Sequence, residues 1–371
     1  YNRIPMNTEK RIEVFLKLVL LVSLIVGFGS GCGTSQSELT FEEIDKIDVH
    51  SHIFDDVEGL AEMLERIHLR IINVCNRGTD RFVLVRMEEM AEELNRKYGN
   101  GILPFASTID LVGRDEPEYA ESVIEWLGKS FENGSLMVKI WKDVGLELKN
   151  PDGSFLMPND PRFDPIYDYL AGQNKPLLAH LAEPLAAWLP LDPENVHYGY
   201  YSNNPEWHLY GRSEYPSHED LMAARDSILE KHPNLILIGA HMGSMSHDVA
   251  EVAKRLDRYA NFYVECSART ADLTRQDAKT VREFFIKYQD RVLYGLDMTR
   301  NAITGEQLSA EEQRAFVDRL EERYRQDFQY YAGTGRMEYR GKEIECLGLP
   351  KDVLEKFYSG NAQRLMPGLG N

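Results

Sequence analysis

Cysteine is scarce: 371 residues contain four, Cys32, Cys75, Cys266 and Cys346, with no CxxC spacing among them. A disulfide framework and a thiolate zinc site are therefore not what organises this chain. Positive charge is short as well, since 42 Lys and Arg stand against 60 Asp and Glu for a net charge of −18. Such an acidic surface argues against nucleic acid as a partner. No glycine-rich phosphate loop follows the first apolar strand, which counts against an open dinucleotide-binding sheet. The early apolar stretch at 18–28 is too short to span a bilayer and has the length of a signal peptide's hydrophobic region, with Lys10, Arg11 and Lys17 before it.

That stretch closes on Gly29-Ser30-Gly31-Cys32, small residues directly before a cysteine. Apart from Gly29, where leucine is usual, this resembles a bacterial lipobox whose cysteine becomes lipidated. Residues 1–31 are then a lipoprotein signal peptide, residues 32–43 a polar tether, and 44–371 the functional domain. Removing the signal takes away four basic and two acidic residues, so the net charge falls from −18 to −20. The expected location is an exported bacterial lipoprotein. Gly33 after the cysteine is not an acidic inner-membrane retention signal, so the outer membrane, facing periplasm or cell surface, is expected in a Gram-negative host. The lipid on Cys32 is the only membrane contact expected; a homodimer is allowed.

Between 46 and 297, short β-branched apolar runs alternate with helical periodicity. The strands fall at 46–52, 70–75, 102–107, 136–141, 176–181, 235–241, 262–266 and 292–297, with helices at 58–68, 116–133, 165–173, 218–231, 246–259 and 274–288. Ser217, Thr274 and Asp164 read as helix caps. Eight βα units of this kind predict an α/β fold, a (β/α)8 TIM barrel in one domain. Two segments, 183–216 and 298–350, read as long loops over its catalytic end. Asn150-Pro151-Asp152-Gly153 and Arg340-Gly341 read as hairpin turns.

Asp48-Val49-His50-Ser51-His52 lies on the first strand, where a period of two puts Asp48, His50 and His52 on one face, the barrel interior. Two imidazoles so spaced can bind one metal ion from one side. His180, His241 and Asp297 close strands five, six and eight. Polar residues at that end of barrel strands read as catalytic.

With these residues in place, the chain resembles the amidohydrolase superfamily, in particular its amidohydrolase 2 branch. The resemblance covers 44–367 and includes the closing Gly360-Asn361-Ala362-Gln363-Arg364-Leu365. It implies a divalent metal held by His50, His52, His180 and Asp297, with His241 as acid/base or ligand to a second metal. Zinc is the expected ion, one rather than two. Bound metal lowers the pKa of its water, and Asp297 is placed to take the proton as hydroxide attacks. Lys139, at the end of strand four, reads either as a bridge between two metals when carbamylated or as a plain ammonium for a substrate carboxylate.

Arg269, just beyond strand seven, suits a substrate carboxylate or a structural pair. Trp141, Glu183 and Trp188 line the pocket by position, and Trp141 also reads as packing. His197 and His208 sit in the loop after strand five, within reach of substrate. His68, His218, His232 and His247 read as surface or capping residues. The function read first is metal-assisted hydrolysis of an amide, ester or lactone in a small-molecule substrate. Non-oxidative decarboxylation of an unsaturated or aromatic acid at the same site is the alternative. An inactive ligand-binding barrel is disfavoured by the complete ligand set.

Overall fold

The computed structural model describes residues 39–303 and 305–369; the signal segment, Cys32 and most of the tether lie outside them. Eight strands run in chain order, β1 (Lys46–Phe54), β2 (Leu69–Val74), β3 (Phe105–Thr108), β4 (Val138–Ile140), β5 (Leu177–Ala179), β6 (Leu237–Gly239), β7 (Phe262–Glu265) and β8 (Val292–Leu293). Each pairs in parallel with the next. A ninth, β9 (Thr299–Asn301), adds in parallel to the far end of β1. The ring closes through backbone bonds beyond β8. Val49 N–H donates to Tyr294 O at 3.0 Å, Asp297 N–H to His50 O at 2.6 Å and His52 N–H to Met298 O at 2.7 Å. The fold is the (β/α)8 barrel expected from the alternation of elements.

Among the described residues, seven helices of seven residues or more join or follow the strands up to β8: α1 (Leu60–Arg66), α2 (Arg81–Tyr98), α3 (Tyr119–Glu132), α4 (Asp164–Gly172), α5 (His218–Lys231), α6 (Val249–Arg258) and α7 (Ala278–Lys287). Ser217 caps α5 with a full capping box to Asp220. The other expected caps shift: Asp277, not Thr274, caps α7, and Asp164 is the first residue of α4 rather than its cap. The 18-residue α2, absent from the expected helices, starts on Asp80, whose carboxylate accepts from Phe82 and Val83 N–H.

A larger correction concerns 298–350, expected to be an irregular loop. It holds β9, a 23-residue helix α8 (Ala310–Ala332) and a hairpin of β10 (Arg336–Tyr339) and β11 (Lys342–Glu345). Arg340 and Gly341 both take positive φ at its turn, as that dipeptide predicts. The Asn150–Gly153 turn joins a single antiparallel bridge, Lys149 to Phe155. Phe41, near the end of the segment read as a tether, is buried, its ring 5.6 Å from that of Phe328 on α8.

Two apolar layers result. Ile47, Val49, Ile72, Val74, Leu178, Ile238 and Leu293 fill the barrel interior with Ala362, Leu365 and Met366 from the C-terminal segment. The outward strand residues, Ile71, Val138, Leu177, Leu237 and Val264 among them, pack with the helices. Asn361 in the closing signature is buried and donates to Gln289 O at 2.7 Å and Val292 O at 2.8 Å, tying that segment to β8. None of the helices among the described residues is long and apolar enough to cross a membrane.

Candidate metal centre and its surroundings

The β1 register contains the decisive local feature. Asp48 pairs with Ile71, yet Ser51 pairs with Asn73, so three steps on β1 oppose two on β2. This is a bulge, which re-aims the residues after it. Val49 lies in the interior layer, while His50 and His52 both reach Asp297. Asp48 turns the other way, to the Tyr324 hydroxyl of α8. The expectation that Asp48 shares the interior face with the two histidines fails because strict alternation is broken between them. Asn73 stitches the strand beyond the bulge, donating to Ile53 O at 2.5 Å and accepting from Ile53 N–H at 2.7 Å.

His50 Nδ1 meets Glu265 Oε1 at 2.9 Å and His52 Nδ1 meets Val74 O at 2.6 Å. With Nδ1–H donated to these acceptors, the Nε2 lone pairs turn to the centre. There His52 Nε2 lies 3.4 Å and His50 Nε2 3.8 Å from Asp297 Oδ1. Donor atoms of His50, His52 and Asp297 lie within 4.8 Å of one another. His180 stands beside them, its ring 4.3 Å from that of His241, and its buried Nε2 has no hydrogen-bond partner. A buried imidazole nitrogen left unpaired costs free energy unless something unseen meets it. Two more lone pairs and a carboxylate aim at the same region, so the donor set fits a divalent cation.

His50, His52 and Asp297 thus come together at the C-terminal mouth, and His180 adjoins them through its contact with His241 without entering that close donor group. His241 joins them, its Nε2 3.8 Å from Asp297 Oδ2 and its Nδ1 2.9 Å from Ser267 O. His50, His241 and Glu265 form a second close group, but the imidazole Nδ1 atoms there already meet Glu265 and the Ser267 hydroxyl. His241 and Met242 adopt left-handed φ of 58° and 59°. The turn needs Gly239 just before it, where a Cβ would lie 2.8 Å from Gly243 Cα and 2.9 Å from the Phe262 ring.

Burial lowers the pKa of His50 and pushes those of His180 and His241 well below the usual range. All three are neutral at neutral pH, as metal ligands must be. Burial works against the Asp297 carboxylate, but His50, His52 and His241 around it prevail and hold its pKa well below normal. Glu265 is similar: desolvation raises its pKa, the His50 contact and further donors lower it, and it settles at about 2.

Lys139 is fully buried, its Nζ 2.7 Å from His50 Nε2, and burial lowers its pKa to about 8. Arg269 keeps 8% of its exposure; its guanidinium donates to Ala268 O at 2.9 Å, and its Nε has no hydrogen-bond partner. Glu183 pairs with Lys142 and accepts from the Tyr201 hydroxyl at 3.0 Å. Lys142 also sits 3.6 Å from the centre of the Trp207 ring, and Trp207 packs edge-on against Trp141 at 5.6 Å. Trp188 is engaged elsewhere: its Nε1 donates to Pro216 O at 3.2 Å and its ring meets His218. His197 Nε2 is 3.2 Å from Asp272, and His208 Nε2 meets Leu189 O at 3.0 Å. His232 is no surface residue: it is buried and bridges Asp164 and Asp168 as it ends α5.

Reading the sequence missed Glu265, Lys142 and Trp207. Glu265 had a signal, an acidic residue at the mouth end of an apolar strand. Lys142 and Trp207 come from loops, whose shape no periodicity announces.

A (β/α)8 barrel with a histidine and aspartate cluster at the C-terminal ends of its strands is an enzyme architecture with a candidate metal site. The Amidohydrolase family model matches residues 47–367, and the chain belongs to that family. No curated protein matches it. Among solved structures, it is similar to an amidohydrolase II at 15% identity, with a TM-score of 0.51 over 87% of this chain and 100% of that one. A 2,6-dihydroxybenzoate decarboxylase complexed with 2,6-dihydroxybenzoate also shares the fold, at 15% identity and TM-score 0.50 over 87% of this chain and 99% of that one.

Proposed function

We propose that this enzyme is a metal-dependent hydrolase that opens an ester, lactone or amide bond in a small carboxylated substrate. The observation that carries the reading is the buried, unpartnered His180 Nε2 beside the converging His50, His52 and Asp297 donors. His50, His52, His180 and Asp297 would hold one divalent ion, zinc by the nitrogen-rich donor set. Such an ion would supply an acidified water and polarise the substrate carbonyl.

The chain's own groups do the rest. Asp297, ionised and with 28% of its side chain exposed, is a base able to take a proton at its carboxylate. His241 donates Nδ1–H to Ser267 O, so its Nε2 presents a lone pair 3.8 Å from Asp297 and can carry the proton on to the leaving group. Arg269, buried and with its Nε 3.9 Å from Asp272 Oδ2 but not hydrogen-bonded, would receive the substrate carboxylate.

The test is metal analysis of the purified protein, then assays against lactones, esters, amides and aromatic acids. One metal per chain and acid release without CO₂ are expected. Asp297→Asn should abolish turnover with the fold intact, because an amide cannot accept the proton; near-normal turnover removes Asp297 from the mechanism. A second reading, decarboxylation of an aromatic or unsaturated acid, is favoured by the Trp141 and Trp207 pair beside Lys142 and would announce itself as CO₂ release. With Cys32 lipidated, the enzyme would work outside the cytoplasm, anchored in the outer membrane.

A further inference from the structure

Asp48 has no exposed surface and, turned away from the histidines by the bulge, no route to substrate. Three of its four acceptor contacts nevertheless lead to β1 and the turn after β8, and the fourth leads to α8. Oδ1 accepts from His50 N–H at 2.9 Å and from Leu296 N–H at 3.1 Å. Oδ2 accepts from the Ser51 hydroxyl at 2.6 Å and from the Tyr324 hydroxyl at 2.7 Å. The Ser51 oxygen in turn accepts from Met298 N–H at 3.0 Å. Between those two amides lies Asp297, whose own N–H reaches His50 O at 2.6 Å.

Asp297 therefore sits on a three-residue turn whose every amide is bonded into the β1 bulge. The turn needs this hold, because Asp297 takes a left-handed φ of 61°, a conformation that strains a residue other than glycine. Tyr324 links the network to α8, and it is buried. We infer that Asp48, Ser51 and Tyr324 form a positioning network that fixes the Asp297 turn against His50 and His52, so that α8, outside the barrel, sets the geometry of the candidate metal centre. The inference rests on the metal reading only for its second readout.

The first readout is hydrogen exchange of the amides at 296–298 in the whole protein without added metal. Tyr324→Phe and Ser51→Ala should exchange there up to roughly tenfold faster than wild type, the scale of one lost hydrogen bond. Tyr330→Phe is the control: Tyr330 is buried on the same helix, and its hydroxyl has no hydrogen-bond partner. It should leave exchange unchanged. The second readout is Zn²⁺ affinity by competition with a chromophoric chelator, expected to fall about 10- to 100-fold in Tyr324→Phe and Ser51→Ala, with circular dichroism as in wild type.

Unchanged exchange at 296–298 in both variants overturns the network. Faster exchange with unaltered Zn²⁺ affinity also overturns it, because the turn would then not set the ligand geometry. A wild-type protein that binds no Zn²⁺ while the variants still loosen 296–298 sinks the metal reading and leaves the hold on the turn supported.

Discussion

At Gly295 the site leaves no room for a side chain. A Cβ there would lie 2.8 Å from Glu265 Oε2, 3.2 Å from Ser267 Cβ and 3.3 Å from His50 Cβ. Glu265 is itself held by His50, by the His241 amide at 2.8 Å and by the Ser267 amide at 2.6 Å, so it cannot yield cheaply. Gly295→Ala should therefore cut Zn²⁺ affinity by about tenfold or more while secondary structure stays intact; chelator competition at wild-type level would show that Glu265 does not orient His50. Lys139 makes the opposite case. Its ammonium donates to the His50 lone pair at 2.7 Å, so it competes with a cation for that nitrogen. Lys139→Ala should keep one metal per chain, with affinity equal or higher, and should raise KM for a carboxylated substrate. Two metals in wild type, falling to one or none in Lys139→Ala and partly restored by short carboxylic acids, would instead make a carbamylated Lys139 a bridge and His241 a ligand. The positions of His50, His52, His180, His241 and Asp297 at strand ends were legible from strand periodicity. The outward turn of Asp48 was not, because a bulge leaves the written alternation of Asp48, His50 and His52 unaltered.

Among the elements, α2 carries the clearest pH dependence. Its Glu88 is buried and accepts hydrogen bonds from Ser107 and Ser130, and burial raises its pKa from 4.5 to about 7. Burial does the same to Asp143, raised to about 7, and to Asp327 on α8, raised to about 6. The unfolded chain gives up these protons first. As pH climbs from about 4 to 7, ionisation therefore favours unfolding, and stability falls and then stays low. Glu88→Gln removes one such titration, so it should flatten this slope and raise stability at pH 8 by at most roughly 3 kcal/mol, read by urea melts at pH 5 and pH 8. An equal Glu88→Gln effect at both pH values would mean Glu88 is ionised in its burial site throughout. The same two helices show where sequence reading fell short. α2 places Leu84, Met87, Ala91 and Leu94 on its buried face and has Asp80 as cap, and α8 opens with a Ser309 to Glu312 capping box. Both starts were readable. The apolar stripe of α8 was obscured because its buried positions include Tyr324, Asp327, Tyr330 and Tyr331 amid dense charge, beside Phe316, Val317 and Leu320.

On the scale of the whole molecule, the barrel and its attachment obey separate physics. The described residues show a packed barrel core and no helix able to cross a membrane, and a net charge of −18 gives no electrostatic attraction to anionic lipid. Membrane attachment, if the lipobox at Gly29-Ser30-Gly31-Cys32 is processed, would rest on the acyl chains of Cys32. Each buried methylene contributes about 0.8 kcal/mol, and stable anchoring takes two chains or one chain with a basic patch. The sequence just after Cys32, Gly33-Thr34-Ser35-Gln36-Ser37, has no basic residue, so a diacylated Cys32 would hold the protein by its acyl chains without help from that segment. Cys32→Ser should accordingly move the protein from the membrane pellet to the soluble fraction of a Gram-negative host while the purified protein keeps its metal content and turnover. A Cys32→Ser protein that still sediments with membranes would assign the attachment to another surface of the chain.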